Sequence, residues 1–224
     1  MKEDNLRHCG DYRALNARTI PDQYLVRHIA DFAQQHAGRK VFSTIYLMKV
    51  CHHIPYNPDD IAKTAIITPL AVFEFPYMSF GLRNGARTFQ RFIDKVLSDL
   101  DFCYAYINDV LAASTPEEEH ERHLRTLFQC FNEYGVLLNP AKFVFGVTEV
   151  TFFGYKVTAA GTWPLKDKES AIISFQQPVL VKDPTGFIGM LNFYRRFIPQ
   201  AAGTQASLHA ALAGLKFKRS QPVD

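Results

Sequence analysis

The chain lacks several features that would place it quickly. It has only four cysteines in 224 residues, at positions 9, 51, 103 and 130, and no two of them form a CxxC pair. That spacing excludes a zinc-knuckle reading and a secreted disulfide framework, and it favours reduced thiols in an intracellular setting. No apolar run approaches the roughly 20 residues a membrane helix needs. The N-terminal stretch MKEDNLRHCGDYR is polar and has no signal-peptide apolar core; it reads as a truncated start. There is no low-complexity tract, no internal repeat and little net charge, +3. A mild basic balance is compatible with nucleic acid but does not establish it.

What is present is a globular composition, 47% hydrophobic and 13% aromatic, long enough for one large domain or two small ones. The periodicity predicts a helix after TIPDQ, carried by Leu25, Ile29, Phe32 and Ala33 and stopped at Gly38. KVFSTIYLMKV reads as a strand, YNPDD as a turn, and KTAIIT with AVFEFPYM as a hairpin around Pro69. NGARTFQRFIDKVLSDL is the clearest helix. Asn84 is its expected cap, and Phe89, Ile93, Val96 and Leu100 form its apolar stripe. Arg83, Arg87, Arg91 and Lys95 recur every fourth residue on roughly the opposite side. A second helix, STPEEEHERHLRTLFQCFNEYG, has Thr115 as expected N-cap, Pro116 at its first position, Glu118 closing a capping box and Gly135 at its end. Short strands follow, and from Trp163 onward the character turns helical. The pattern as a whole is α+β, with a body of about 160 residues and a smaller helical part after it.

The segment FCYAYINDVLAAS raises the chemical question. Two apolar strands are predicted on either side of a two-residue turn at Asn108-Asp109, whose residue types tolerate a left-handed backbone. The turn holds a carboxylate against apolar neighbours. Taken alone, the pattern favours an ordinary turn. Enzymes that transfer phosphoryl groups with two divalent ions need carboxylates converging from strand ends, and Asp109 could be one of those. Two His-based metal sites are weaker candidates. Cys51, His52 and His53 point to alternating sides, and His120 with His123 present no third or fourth ligand.

The order of segments carries more weight. RHCGDYRALNARTIPDQY, VFSTIYLMKVCHHIPYNPDDIAKTAIITP, FEFPYMSFGLRNGARTFQRFIDKVL, FCYAYINDVLAAS, EYGVLLNPAKFVFG, FFGYKV and GMLNFYRRFIP form one colinear series. This series closely resembles the reverse transcriptase of gypsy-like LTR retrotransposons, and more distantly that of retroviruses. The resemblance implies a right-hand polymerase fold of fingers, palm and thumb, with an antiparallel palm sheet packed on helices. Residues 1–23 and 54–84 would be partial fingers, 24–53 and 85–160 palm, and 161–224 thumb and the start of a connection. The family's most N-terminal fingers segment and its ribonuclease H domain would be absent.

The same resemblance implies roles for individual residues. In the family, three aspartates hold Mg²⁺ or Mn²⁺, one in an F-S-x-I-D-L segment and two in Y-x-D-D. Here Tyr46 stands at the first position and Asn108 at the second, which leaves Asp109 as the only acid and the only metal ligand of the three. Lys142 matches a lysine that faces the leaving pyrophosphate. Arg7, Lys2, Cys51, Phe80 and Gly81 match nucleotide-binding positions; Cys51 replaces the aromatic residue that excludes ribonucleotides. Phe153 and Gly154 fall in a primer-grip hairpin, FFGY. Arg83, Arg87, Arg91 and Lys95 would meet template phosphates. The implied partners are a primer–template of RNA or DNA and a deoxynucleoside triphosphate. The implied reaction adds deoxynucleotides to a primer 3′ end, but one acid cannot neutralise two divalent ions. The chain is therefore expected to be inactive. The alternatives are a weak residual polymerase, or a non-catalytic nucleic-acid-binding or structural subunit beside an active polymerase partner.

Overall fold

A computed structural model describes residues 10–25, 38–174 and, with gaps, 188–210. The helix expected after TIPDQ falls mostly outside the described residues, as do Lys2 and Arg7. Two compact units are present: residues 1–153 with 157–161, and residues 154–156 with 162–224.

The first unit is built on a four-stranded antiparallel sheet in the order β4-β5-β1-β6. Its strands are β1 (Val41–Tyr46), β4 (Cys103–Tyr106), β5 (Asp109–Ser114) and β6 (Val144–Val147). Strand β1 is central because it pairs with β5 on one side and β6 on the other. The two clear helices of the sequence are here, α2 (Gly85–Val96) and α3 (Glu117–Glu133). A short α1 (Arg13–Arg18) precedes β1, and a small hairpin pairs β2 (Ile66–Ile67) with β3 (Val72–Phe73).

The core forms where the apolar stripes of α2 and α3 meet one sheet face. Phe89, Ile93 and Leu127 are fully buried and Phe131 and Ile45 nearly so, packed with Cys103, Ala105, Val110 and Ala112. Successive strand residues alternate sides. Ser43 and Ile45 therefore face the helices, while Thr44 and Tyr46 face away. Leucines and phenylalanines of this kind each contribute roughly 1.5–3 kcal/mol on burial.

Both expected helix caps differ in detail. Asn84 sits at the N-cap of α2 but does not cap with its side chain; its Oδ1 accepts from the Asp22 N–H at 3.0 Å and its amide donates to the Ile20 carbonyl at 2.8 Å. Asn84 is therefore a staple to the preceding segment. Thr115 does not cap α3 either. Pro116 takes the cap position, and Thr115 Oγ1 instead accepts from the Lys40 N–H at 2.9 Å. The acids Glu117, Glu118 and Glu119 still fill the first turn, where the helix dipole favours them. The YNPDD turn extends into a 3-10 run, Pro58–Thr64, capped by Asn57.

His120 and His123 belong to a buried hydrogen-bond chain. The Gly146 N–H donates to Ser43 Oγ at 3.0 Å, and Ser43 Oγ shares a hydrogen bond with His120 Nε2 at 2.7 Å. His120 Nδ1 in turn bonds Ser114 Oγ at 2.8 Å, and Ser114 Oγ bonds His123 Nδ1 at 2.8 Å. Both serine hydroxyls and both His120 nitrogens thus meet partners, as buried polar groups require. The chain ties α3 to β1, β5 and β6, and the His123 ring stacks on Phe102 at 3.9 Å.

Strands β7 (Glu149–Phe152), β8 (Tyr155–Thr158) and β9 (Gly161–Pro164) form a three-stranded sheet in that order, and the chain passes within it from the first unit to the second. Trp163 lies in β9, so helical structure begins only after Pro164, with α4 (Lys166–Ile173). In the second unit Tyr155 is fully buried, stacked on Phe193 at 5.2 Å and edge-on to Tyr194 at 5.5 Å. No helix among the described residues is long and apolar enough to cross a membrane.

Candidate active site

The hairpin joining β4 to β5 turns one residue earlier than the sequence suggests. Its turn residues are Ile107 and Asn108; Asp109 is already the first residue of β5, paired with Tyr106. The left-handed residue is Ile107, at φ 51°, a costly backbone for a β-branched side chain. A side chain absent from the sequence reading holds it there. Gln90 of α2, almost completely buried, accepts from the Ile107 N–H at 2.7 Å and donates to the Ala105 carbonyl at 2.9 Å. Its amide also donates to Asp94 at 2.9 Å, and Asp94 accepts from the Tyr24 hydroxyl at 2.7 Å. A buried glutamine beside Phe89 in an apolar helix stripe was the available signal.

Asp109 has a tyrosine as register partner on each side, Tyr106 in β4 and Tyr46 in β1. All three side chains emerge on the sheet face away from α2 and α3. The Leu47 N–H, at the end of β1, donates to the Asn108 carbonyl at 2.7 Å. Tyr46 therefore lies beside the turn, and its own carbonyl accepts from the Asn139 N–H at 2.9 Å. Three residues on, Lys142 brings its ammonium to 3.9 Å from the Tyr46 ring centroid. Burial pushes the Asp109 carboxyl above the ordinary carboxylate range, and Lys142 pulls it back in part. Tyr106 packs its ring 3.7 Å from that of Phe153.

The donor set is thus one half-buried carboxylate, a neutral amide and two phenols, with an ammonium alongside. Among the described residues no group of three His, Cys, Asp or Glu side chains is placed to hold a metal. Two-ion phosphoryl transfer holds its pair of metals between converging carboxylates, and a set with a single carboxylate does not fit that pair.

A cleft of about 660 Å³ opens beside Tyr46, Asn108 and Lys142, with Phe80 also in its wall. Cys51 does not face it. The thiol is buried in the core, and burial raises its pKa; the adjacent His52 lines the cleft instead. His53 bridges the Val50 carbonyl at 3.3 Å and the Leu137 N–H at 2.8 Å. Gly81, at φ +94°, gives its carbonyl to the Asn16 amide at 2.8 Å, while Asn16 Oδ1 accepts from the Arg83 N–H at 2.8 Å. Asn16 thus pins the Phe80–Gly81 loop, a role the sequence did not suggest.

The basic row on α2 divides in two. Arg83 donates to the carbonyls of Asn16 and Thr19 at 3.2 and 3.4 Å. Arg91 pairs with Asp22 at 2.7 Å and lies over the Tyr24 ring at 4.8 Å. Arg87 and Lys95 are exposed. Phe153 and Gly154 form the β7–β8 turn with φ of 47° and 80°; a Cβ on Gly154 would come 3.1 Å from the Tyr194 hydroxyl.

A strand–turn–strand carboxylate on an antiparallel sheet, backed by two helices, is the architecture of template-copying polymerases, and the comparisons agree. Residues 2–157 match the reverse transcriptase (RNA-dependent DNA polymerase) family, and the chain belongs to it. It is 34% identical over 194 residues to the retrovirus-related Pol polyprotein from transposon 297 of Drosophila melanogaster, covering 86% of this chain and 18% of that protein. It is 34% identical over 215 residues to the Pol polyprotein from transposon opus (95% and 21%), and 32% identical over 212 residues to that from transposon gypsy (94% and 20%), both of the same fly. The chain is thus a reverse transcriptase domain of the LTR retrotransposon kind, spanning about a fifth of the length of these relatives. Among solved structures, foamy viral protease–reverse transcriptase in complex with dsDNA superposes with a TM-score of 0.78 at 22% identity, over 91% of this chain and 36% of that one. Its complex with an RNA/DNA hybrid gives 0.75 at 22%, over 91% and 28%. The fold is the α+β right-hand polymerase fold.

Proposed function

We propose that this domain retains the reverse transcriptase scaffold but does not polymerise. The carrying observation is the row Tyr106–Asp109–Tyr46, in which a single carboxylate stands between two phenols and beside Lys142. On this reading Tyr46 and Asn108 occupy metal-ligand positions that aspartates fill in the family. Mg²⁺ or Mn²⁺ would find one acid where the chemistry needs several.

The rest of the substrate apparatus supports a nucleic-acid-binding role. We assign partial fingers to residues 1–23 and 54–84, palm to 24–53 and 85–160, and thumb to the chain after 161. Arg87 and Lys95 are exposed cations of α2 that, unlike Arg91, form no ion pair with Asp22, and they are available to a phosphate backbone. The foamy viral relatives of this fold are seen with an RNA/DNA hybrid and with dsDNA, which supports a primer–template partner here. A non-catalytic subunit beside an active polymerase, inside the cell, is the role that fits a domain which binds without catalysing.

Extension of a primed template in Mg²⁺, and separately in Mn²⁺, tests the reading. No product is expected. Product that Asp109→Ala abolishes overturns it.

A further inference from the structure

Asn84 is the only asparagine of the chain followed by glycine. Such a pair is chemically labile. Glycine has no Cβ to shield its backbone nitrogen, and that nitrogen can attack the asparagine side-chain carbon Cγ. A Cγ–N bond forms, the Cγ–Nδ2 bond breaks, and ammonia leaves with the proton of the glycine amide. Water then opens the five-membered ring at either carbonyl, restores the amide proton, and leaves aspartate or isoaspartate. One water enters, one ammonia departs, and nothing is oxidised or reduced.

The fold holds this pair in a geometry that blocks the first step. Asn84 has ψ −1°. Its own backbone nitrogen therefore eclipses the Gly85 nitrogen about the Cα–C bond, whereas ring closure requires Cβ to do so. The Gly85 N–H is engaged by the Leu82 carbonyl at 3.1 Å, and the Asn84 carbonyl accepts from the Thr88 N–H at 2.9 Å as α2 begins. The side chain is fixed as well, with Oδ1 on the Asp22 N–H at 3.0 Å and its amide on the Ile20 carbonyl at 2.8 Å. Residues 20–22 thus clamp the reacting carbon. Asp22 is anchored in turn by Arg91 at 2.7 Å and accepts from the Tyr24 N–H at 3.0 Å. The ring closes only after the clamp opens and the Asn84 backbone rotates, and a local opening of this kind costs less than unfolding the whole domain.

We propose that Asn84–Gly85 is a site of spontaneous deamidation, gated by the docking of residues 20–22 on α2, and that its conversion loosens this dock irreversibly. The product carboxylate still accepts from the Asp22 N–H, but it has no proton for the Ile20 carbonyl. One of the two bonds of the clamp is replaced by two facing oxygens. Isoaspartate also lengthens the main chain by one methylene where α2 starts. The inference holds whether or not the hairpin carries out chemistry.

Ageing the full chain at mildly alkaline pH, native and in urea, tests this by intact mass and by peptide mapping around Asn84. In urea Asn84 converts, and Gly85→Ala slows the conversion because its Cβ shields the nitrogen. In the native chain the conversion is measurable but about tenfold slower or more, an opening cost of at least about 1.4 kcal/mol. Arg91→Gln speeds the native reaction severalfold. Arg125→Gln, which breaks an exposed pair with Glu121 on α3, leaves it unchanged. Asn84→Asp, standing in for the product, is cut by trypsin after the exposed Arg18 severalfold faster than the fresh native chain. Circular dichroism verifies the folding of each variant. Should Arg91→Gln fail to fold, Asp22→Asn removes the same ion pair, keeps the backbone N–H, and supplies the test of the gate. Four outcomes overturn the proposal: native conversion as fast as in urea, no native conversion while the urea sample converts fully, a native rate indifferent to loss of the Asp22–Arg91 pair, or an Asn84→Asp chain no more easily cut than the native one.

Discussion

The Lys142 ammonium lies 3.9 Å from the centroid of the Tyr46 ring, and Tyr46 is the register partner of Asp109 across β1 and β5. A double-mutant cycle of Tyr46→Leu and Lys142→Met should therefore show a coupling energy of about 0.5–1 kcal/mol in urea unfolding. Additive effects would mean that the stack does not persist in solution.

Gln90 bonds the hairpin at two backbone atoms, the Ile107 N–H and the Ala105 carbonyl. Gln90→Leu leaves both without that partner in a buried setting. The expected loss is about 1–3 kcal/mol, seen as a lowered urea midpoint. Asp94→Asn keeps both backbone bonds and should cost less. Equal losses in the two variants would contradict the assignment.

The buried chain Ser43–His120–Ser114–His123 makes stability depend on pH. Burial lowers the pKa of both histidines, first among several causes. For His120 the neighbouring His123 also lowers it and Glu117 opposes; for His123, Glu119 and Asp101 oppose, while Arg122 and Arg39 lower it further. A histidine held neutral in the fold contributes its full stability above the unfolded value near 6.5. That contribution is lost as pH falls below 6.5 towards the lowered folded value, because the unfolded chain takes up the proton first. Thermal unfolding followed from pH 7.5 to 5.5 should show a falling midpoint, with a shallower fall in His120→Gln. An unchanged slope in that variant would remove His120 from the account.

The basic row on α2 predicts a divided response in gel-shift assays. Arg87→Gln with Lys95→Gln should weaken binding to a primed template uniformly across sequences and reduce the salt slope by about two. Arg91→Gln breaks the bond to Asp22 and the stack on Tyr24 instead. It should lower the thermal midpoint more than it lowers affinity. A larger salt-slope change from Arg91→Gln would reverse this division.

Much of the fold was legible because local and global signals agree. The stripes Phe89–Ile93–Val96 and Leu127–Phe131 are buried as the 3.6-residue period requires. The caps differ from expectation because the side chains that look like caps have partners far away in sequence. Asn84 bonds Ile20 and the Asp22 backbone, and the Lys40 N–H donates to Thr115. No local pattern encodes such partners. Asn-Asp is the better turn pair by residue type, yet the hairpin turns one residue earlier, at Ile107-Asn108. Gln90, from a helix far from the turn, supports Ile107 in the left-handed position instead. Cys51 followed the family's position, yet the 3-10 turn Val50–His53 buries the thiol and exposes His52 to the cleft.

Counting bound Mn²⁺ by electron paramagnetic resonance asks directly whether this hairpin holds a catalytic divalent ion. The native chain should show no Mn²⁺ that is lost on Asp109→Ala, and the double variant Tyr46→Asp with Asn108→Asp should gain such a site. A native chain that binds Mn²⁺ stoichiometrically and releases it on Asp109→Ala would contradict the account.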